Sequence, residues 1–228
     1  MIGALMIAVC LSGQVWAVML VDYDLENHST KESVILASNE AEHVTGSNLT
    51  ADGVKLLRNY GNGIYTACNW GQSETLDPSR YYEWAVTADD GYAISYDDID
   101  LALVRGNWRS KHGAESWELH ASTDGFGSSD IDLLNWDISD SNYDDIQLFT
   151  DQDISALGTQ SGTVTFRIYG YDADGKKDYS GLAYSHSDLS GMGTNLNIYG
   201  DVQVTPEPAT MSLLVIGGIG LLYRRCNA

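Results

Sequence analysis

Through the middle of the chain, apolar residues recur at every second position. Side chains with a period of two point to opposite faces of an extended strand, so one face can be buried while the other meets water. The clearest run is Gly162-Thr163-Val164-Thr165-Phe166-Arg167-Ile168-Tyr169-Gly170-Tyr171. It turns Val164, Phe166 and Ile168 toward a core and Thr165, Arg167 and Tyr169 to the other side. Tyr81-Tyr82-Glu83-Trp84-Ala85-Val86 repeats the alternation, and Ala88-Asp89-Asp90-Gly91 reads as a turn into Tyr92-Ala93-Ile94. Ile99, Leu101 and Leu103 alternate with Asp100, Ala102 and Val104. Ser116-Trp117-Glu118-Leu119-His120-Ala121 does the same before the turn Thr123-Asp124-Gly125, and Leu196, Ile198 and Val202 form a last strand. No stretch carries three convincing turns of an amphipathic helix. Many short strands with Gly/Asp turns predict an all-β fold, a jelly-roll-like β-sandwich.

The charge balance restricts the partners. Against 12 Lys and Arg stand 32 Asp and Glu, a formal net charge of −20. Such a surface keeps the protein soluble, repels nucleic acid and anionic lipid, and is compatible with divalent cations. No nucleic-acid partner is expected. Aspartate predominates over glutamate, which suits turns and loops more than helix faces. Of the three cysteines only Cys68 lies away from the ends, so the body has no intrachain disulfide and its core must hold the fold alone. Cys68, in Ala67-Cys68-Asn69, has no evident base beside it and reads as buried and inert.

Both ends differ from this body. Residues 1–17 are apolar at the front and close on Val15-Trp16-Ala17, which places Val at −3 and Ala at −1 of a cut before Val18. That is the pattern of a secretory signal peptide, although no Lys or Arg precedes its apolar core. At the other end Pro206-Glu207-Pro208 leads into the apolar run Met211 to Tyr223, followed by Arg224 and Arg225. As a helix these 13 residues would reach roughly 20 Å, short of the ~30 Å hydrocarbon core. The two arginines would hold the C-terminus on the cytoplasmic side while the body is exported.

Val204-Thr205-Pro206-Glu207-Pro208-Ala209-Thr210, then Met211-Ser212-Leu213-Leu214, Gly-rich apolar sequence and Arg224-Arg225, resembles the PEP-CTERM sorting domain. That domain belongs to bacteria with an exosortase and an exopolysaccharide-rich matrix. The resemblance covers only Val204 to Ala228, and it departs from the pattern at Thr205 and in the trailing Cys226-Asn227-Ala228. It implies an exosortase-type processing enzyme as partner, a membrane cysteine transpeptidase cutting near Pro206-Glu207-Pro208. It also implies an inner-membrane intermediate held by the C-terminal segment, then release to the cell envelope or extracellular matrix, with exopolysaccharide as a further partner. The expected organisation is a signal peptide over 1–17, a β-sandwich domain over 18–204 and a sorting segment with a short apolar helix over 205–228. The body is also similar to sandwich domains found ahead of this tail, through Tyr82-Glu83-Trp84-Ala85-Val86-Thr87, Ser122-Thr123-Asp124-Gly125-Phe126, Phe166-Arg167-Ile168-Tyr169-Gly170-Tyr171 and Asn195-Leu196-Asn197-Ile198-Tyr199-Gly200. This second resemblance brings no catalytic residues with it.

The residues themselves offer little for catalysis. Glycoside hydrolysis needs two carboxylates across a cleft. Glu115 and Glu118, three apart, would face opposite sides of a strand. His28, His43, His112, His120 and His186 have no metal-ligand spacing and read as surface or loop residues. Two binding features remain. Asp172, Asp174 and Asp178 surround Gly175 and match the third, fifth and ninth places of a calcium loop, but Gly170 and Gly181 occupy the first and twelfth. A bare hairpin turn competes with Ca²⁺ as the reading of this segment, and is favoured. Among the aromatics, Trp70, Trp84, Trp108, Trp117 and Trp136 could stack on sugars if exposed together, although Trp84 and Trp117 sit where a core is expected. Tyr169 and Tyr171 share the outward side of their strand and are the better carbohydrate-binding candidates. The chain therefore reads as an exported, non-enzymatic β-sandwich that binds glycan or calcium. The rival is a secreted polysaccharide-active enzyme of glycoside hydrolase type.

Overall fold

The structure is a computed structural model, and it describes residues 17–27, 33–57, 63–106, 113–138, 146–175, 177, 179–184 and 193–205. The signal segment, Pro206, Glu207, Pro208, Arg224 and Arg225 of the sorting motif, Asp178, Trp108, His28, His112 and His186 lie outside the described residues. Strands make up 60% of the described residues, in two antiparallel sheets, one of them curled into a half-barrel. The only helical turn among the described residues is a 3₁₀ turn, Ser155–Leu157. The all-β expectation holds.

The larger sheet runs β2 (Ala37–Glu40), β1 (Val18–Tyr23), β15 (Leu196–Val204), β8 (Tyr92–Arg105), β14 (Ser180–Ala183), β6 (Ile64–Cys68), β5 (Lys55–Leu56). Two further strands, β11 (Ile146–Asp153) and β12 (Thr159–Gln160), also pair with β8. The smaller sheet runs β10 (Ile131–Asp137), β9 (Ser116–Ser122), β13 (Thr163–Tyr171), β7 (Tyr81–Ala88), β3 (Val44–Gly46), and β4 (Thr50–Asp52) also pairs with β7.

The predicted alternation is followed closely on the smaller sheet. Tyr82, Trp84 and Val86 of β7, Trp117, Leu119 and Ala121 of β9, and Val164, Phe166 and Ile168 of β13 are all buried and face the larger sheet. There they meet Ile94, Tyr96, Ile99, Leu101 and Leu103 of β8, with Leu196 and Ile198 of β15. Trp84 stacks on Phe166 at a centroid distance of 5.4 Å, and Tyr96 meets the same ring edge-on at 5.7 Å. Trp70 stands edge-on to Tyr82 and to Trp117, each at 5.1 Å, and its indole N–H donates to the carbonyl of Ala67. A buried indole needs such an acceptor, and this one comes from the chain's own backbone.

The turn at Ala88-Asp89-Asp90-Gly91 is present, with the Tyr92 N–H donating to the Asp89 carbonyl at 3.0 Å, but β7 belongs to the smaller sheet and β8 to the larger, so the chain crosses the core there. Tyr92 to Ile94 and Ile99 to Leu103 belong to one strand, β8, 14 residues long. Its alternation also ends at Leu101, since Ala102 and Val104 are buried as well. They form a second apolar cluster with Leu57, Ile64, Ile146 and Ala183. Both faces of the strand are covered at that end, which removes the polar side that period-two patterning needs.

At the end of β8, Arg105 is fully buried, and its Nη2 donates to the carboxylates of Glu115 and, at 2.7 Å, Asp174. This ties the larger sheet to the entry of β9 and to the loop after β13. Cys68 is buried and free, as its sequence context indicated.

Candidate functional site

The chemistry gathers on the outer face of the smaller sheet. Because β13 is flanked by β7 and β9, outward residues from strands far apart in the chain line up in rows. One row reads Asp132, His120, Arg167, Glu83, Thr50 across β10, β9, β13, β7 and β4. The next reads Asn135, Glu118, Tyr169, Tyr81, Asp52. Directly opposed side chains on one face are close enough to interact, so each row becomes a continuous set of contacts.

Arg167 sits at the centre. Its Nε donates to Glu83 Oε2 at 2.7 Å, and its guanidinium carbon lies 4.0 Å from the centroid of the Tyr81 ring and 4.1 Å from that of Phe126. A planar cation held between two ring faces is fixed in orientation as well as position. Burial opposes the Arg167 charge, but the bonds to Glu83 and Tyr169 outweigh it and raise the pKa.

His120 is held at both nitrogens. Nε2 lies 2.9 Å from Glu118 Oε2 and Nδ1 lies 2.7 Å from Asp130 Oδ1. Two acceptors on one imidazole favour the doubly protonated ring. Burial works against that charge, but Glu118 and Asp130 prevail and lift the pKa above its usual value. The other oxygen of Glu118 accepts a 2.6 Å hydrogen bond from the Tyr171 hydroxyl. Burial, then Glu118, push Tyr171 up to about 12.

Phe126 reaches Arg167 from the loop between β9 and β10, and it does so with a backbone φ of 64°. A bulky residue in the left-handed region is strained and persists only where its surroundings compel it. Here the compulsion is Asp124. Its carboxylate accepts from the backbone N–H groups of Gly127, Ser128 and Ser129 and from the hydroxyls of Ser122, Ser128 and Ser129, at 2.7 to 3.1 Å. The Ser122 hydroxyl in turn accepts from the Phe126 N–H at 2.7 Å. So dense a set of donors, the hydroxyls of Ser128 and Ser129 first, holds the Asp124 carboxyl far below the usual carboxylate range. Beside this loop lies an open hollow of about 330 Å³, lined by Pro78, Phe126, Gly127, Ser128, Ser129, Asp130, Arg167 and Tyr169.

The residues singled out from sequence fare unequally. Tyr169 is on the expected face but only 3% exposed, beneath the edges of Tyr81 and His120, so it does not offer a stacking platform. Tyr171 is half-buried on the same face. Asp174 is committed to Arg105, and the neighbouring Asp172 has a φ of 55° with its N–H donated to the Ser73 carbonyl. Of the three acids, Asp174 is thus already engaged by a buried cation, and Asp178 lies outside the described residues. No group of three or more His, Cys, Asp or Glu side chains among the described residues is arranged to hold a metal. Trp70, Trp84, Trp117 and Trp136 are all buried and are packing residues.

Sequence reasoning missed Arg167, Tyr81, Phe126 and the His120 cluster. One local signal was available: Glu118 and His120 are two apart on a strand and must share a face. His120 is therefore neither a loop residue nor isolated. Compared with family models, curated proteins and solved structures, the chain matches none.

Proposed function

We propose that the chain is an exported jelly-roll-type β-sandwich, sorted to the cell envelope or extracellular matrix by its C-terminal segment, that binds extracellular glycan on the outer face of its smaller sheet. One observation carries the binding reading: the Arg167 guanidinium, clamped between Tyr81 and Phe126, opens on the 330 Å³ hollow beside serine hydroxyls and the Asp130 carboxylate. Sugars are bound by fixed polar groups set among aromatic rings. The hollow has both, and a strained loop residue keeps them in place. The net charge of −20 argues for a neutral polymer, since an acidic one would be repelled at long range. Glu83 is bound to Arg167, and Glu118 to His120 and Tyr171, so both carboxylates serve the architecture of the face. That supports recognition over hydrolysis.

Affinity electrophoresis in gels cast with neutral polysaccharides tests the binding. Retardation of the wild type that Arg167→Ala and Tyr81→Ala abolish is the expected result; equal mobility of all three overturns it. Release of new reducing ends from the same polymers would favour the hydrolase instead. For the sorting step, mass spectrometry of the protein from its native host should find a C-terminus that lacks Arg224 and Arg225. A mature chain still ending in Cys226-Asn227-Ala228 would mean an ordinary anchor.

A further inference from the structure

The loop between β9 and β10, which lays Phe126 on Arg167, is tied at two points. Its root is held by the Asp124 carboxylate through the N–H groups of Gly127, Ser128 and Ser129. Its far end is held by His120, whose Nδ1 lies 2.7 Å from Asp130 Oδ1. Asp130 lines the hollow, and its Oδ2 takes no hydrogen bond from the described residues. That oxygen is left to accept from a sugar hydroxyl.

The tie at His120 depends on a proton. An imidazolium donates from both nitrogens, to Glu118 and Asp130 at once, whereas a neutral ring has one N–H and one lone pair. The lone pair must then face a carboxylate oxygen 2.7 or 2.9 Å away. Which contact fails follows from what else holds each acid. The Glu118 side chain is 20% exposed and is kept in place by the Tyr171 hydroxyl, 2.6 Å from its other oxygen. The Asp130 side chain is 57% exposed and has no second tie among the described residues. The remaining proton therefore stays on Nε2, toward Glu118, and Asp130 swings to solvent.

Other groups face the ring from both sides. Asp132 stands opposite it on β10 and Arg167 opposite it on β13, while Tyr169 meets it edge-on at 5.2 Å. Arg167 is bound to Glu83, so the acids prevail around the imidazole. Burial works against its charge, and the bonds to Glu118 and Asp130 outweigh burial.

We infer that His120 is the switch of the hollow: its imidazolium holds Asp130 at the rim for binding, and loss of the proton releases Asp130 and weakens the ligand. The effect on ligand rests on the glycan reading given above; the movement of Asp130 does not.

NMR of the isotopically labelled full chain from pH 5 to 9 tests the switch, with the same neutral-polysaccharide gels run at both ends of that range beside gels without polymer. The amides of Ser128, Ser129, Asp130 and Ile131 should shift with the midpoint of the His120 ring. Binding should weaken about tenfold at the alkaline end, the scale of one lost charge-assisted hydrogen bond. His120→Gln cannot take up the charge, so loop shifts and retardation should both become flat with pH. Asp130→Asn, at an exposed position, should lower the His120 midpoint and flatten the retardation, which keeps the test decisive if His120→Gln fails to fold. Loop amides that stay still while the ring titrates, or binding equally strong at both ends, overturn the inference. Amides that move with the ring in a protein that no polysaccharide retards would strike the glycan reading and leave the switch standing.

Discussion

The outer faces of the two sheets are built from similar residues and handle charge in opposite ways. On the smaller sheet the cations of the site are paired: Arg167 with Glu83 on the neighbouring strand, and His120 with Glu118 on its own strand and with Asp130 before β10. On the larger sheet acids accumulate instead, and burial together with mutual repulsion raises the pKa values of Asp97 and Asp98. A chain with so few cations cannot neutralise both faces. It concentrates them where a cavity needs a fixed geometry, and leaves the other face to solvent and counter-ions.

The comparison requires that both faces rest on one core. Trp84 stacks on Phe166 between the sheets, and Trp84→Ala should cost about 3–5 kcal/mol. Thermal unfolding followed by tryptophan fluorescence and by far-ultraviolet circular dichroism should shift together. Two separate transitions would break the comparison, because the faces would then belong to separately folding units.

Arg105 is the strictest case of pairing, a fully buried cation between two carboxylates. Arg105→Ala removes the contact between the larger sheet and the loops of the smaller and should cost about 3 kcal/mol, at the low end for a buried pair because Asp174 is 44% exposed. Urea denaturation reads it. A cost within experimental scatter would mean that pairing does not hold the sheets together.

The faces should also separate by pH. His120 has a folded pKa above its ordinary 6.5. Its contribution is therefore fully present below about 6.5 and lost as pH rises through the folded value. Asp97 and Asp98 are raised from 3.8, so folding favours their protonated forms and stability climbs as pH falls through their folded values. Stability measured from pH 4 to 9 should show two limbs, the upper flattened by His120→Asn and the lower by Asp98→Asn. If both substitutions flatten the same limb, the faces are not electrostatically distinct.

The smallest effect is expected at Tyr171. Tyr171→Phe deletes one half-buried hydrogen bond to Glu118 and should cost about 1 kcal/mol or less. Its sharper reading is the upper pH limb, which should move if Glu118 then holds His120 differently.

The sequence alone determined which residues of β7, β9 and β13 face inward, because the two-residue alternation of an extended chain is a property of the local backbone. For the same reason Arg167, Tyr169 and Glu118 could be placed on an outward side, and Cys68 in an apolar setting. It misjudged the end of β8, whose alternation vanishes where a second cluster covers its other face, and it placed the turn at Asp90 without showing that the chain changes sheets there. It could not find the sites. Arg167 meets Glu83 across 84 residues of chain, and Arg105 meets Asp174 across 69. Which strands become neighbours, and in what register, depends on closing such long loops around a shared core. That is a non-local free-energy balance which no window of sequence contains. Only the tertiary structure decided that Phe126 would lie on Arg167, that Asp174 would meet a buried arginine, and that Asp22 and Asp100 would flank the same asparagine.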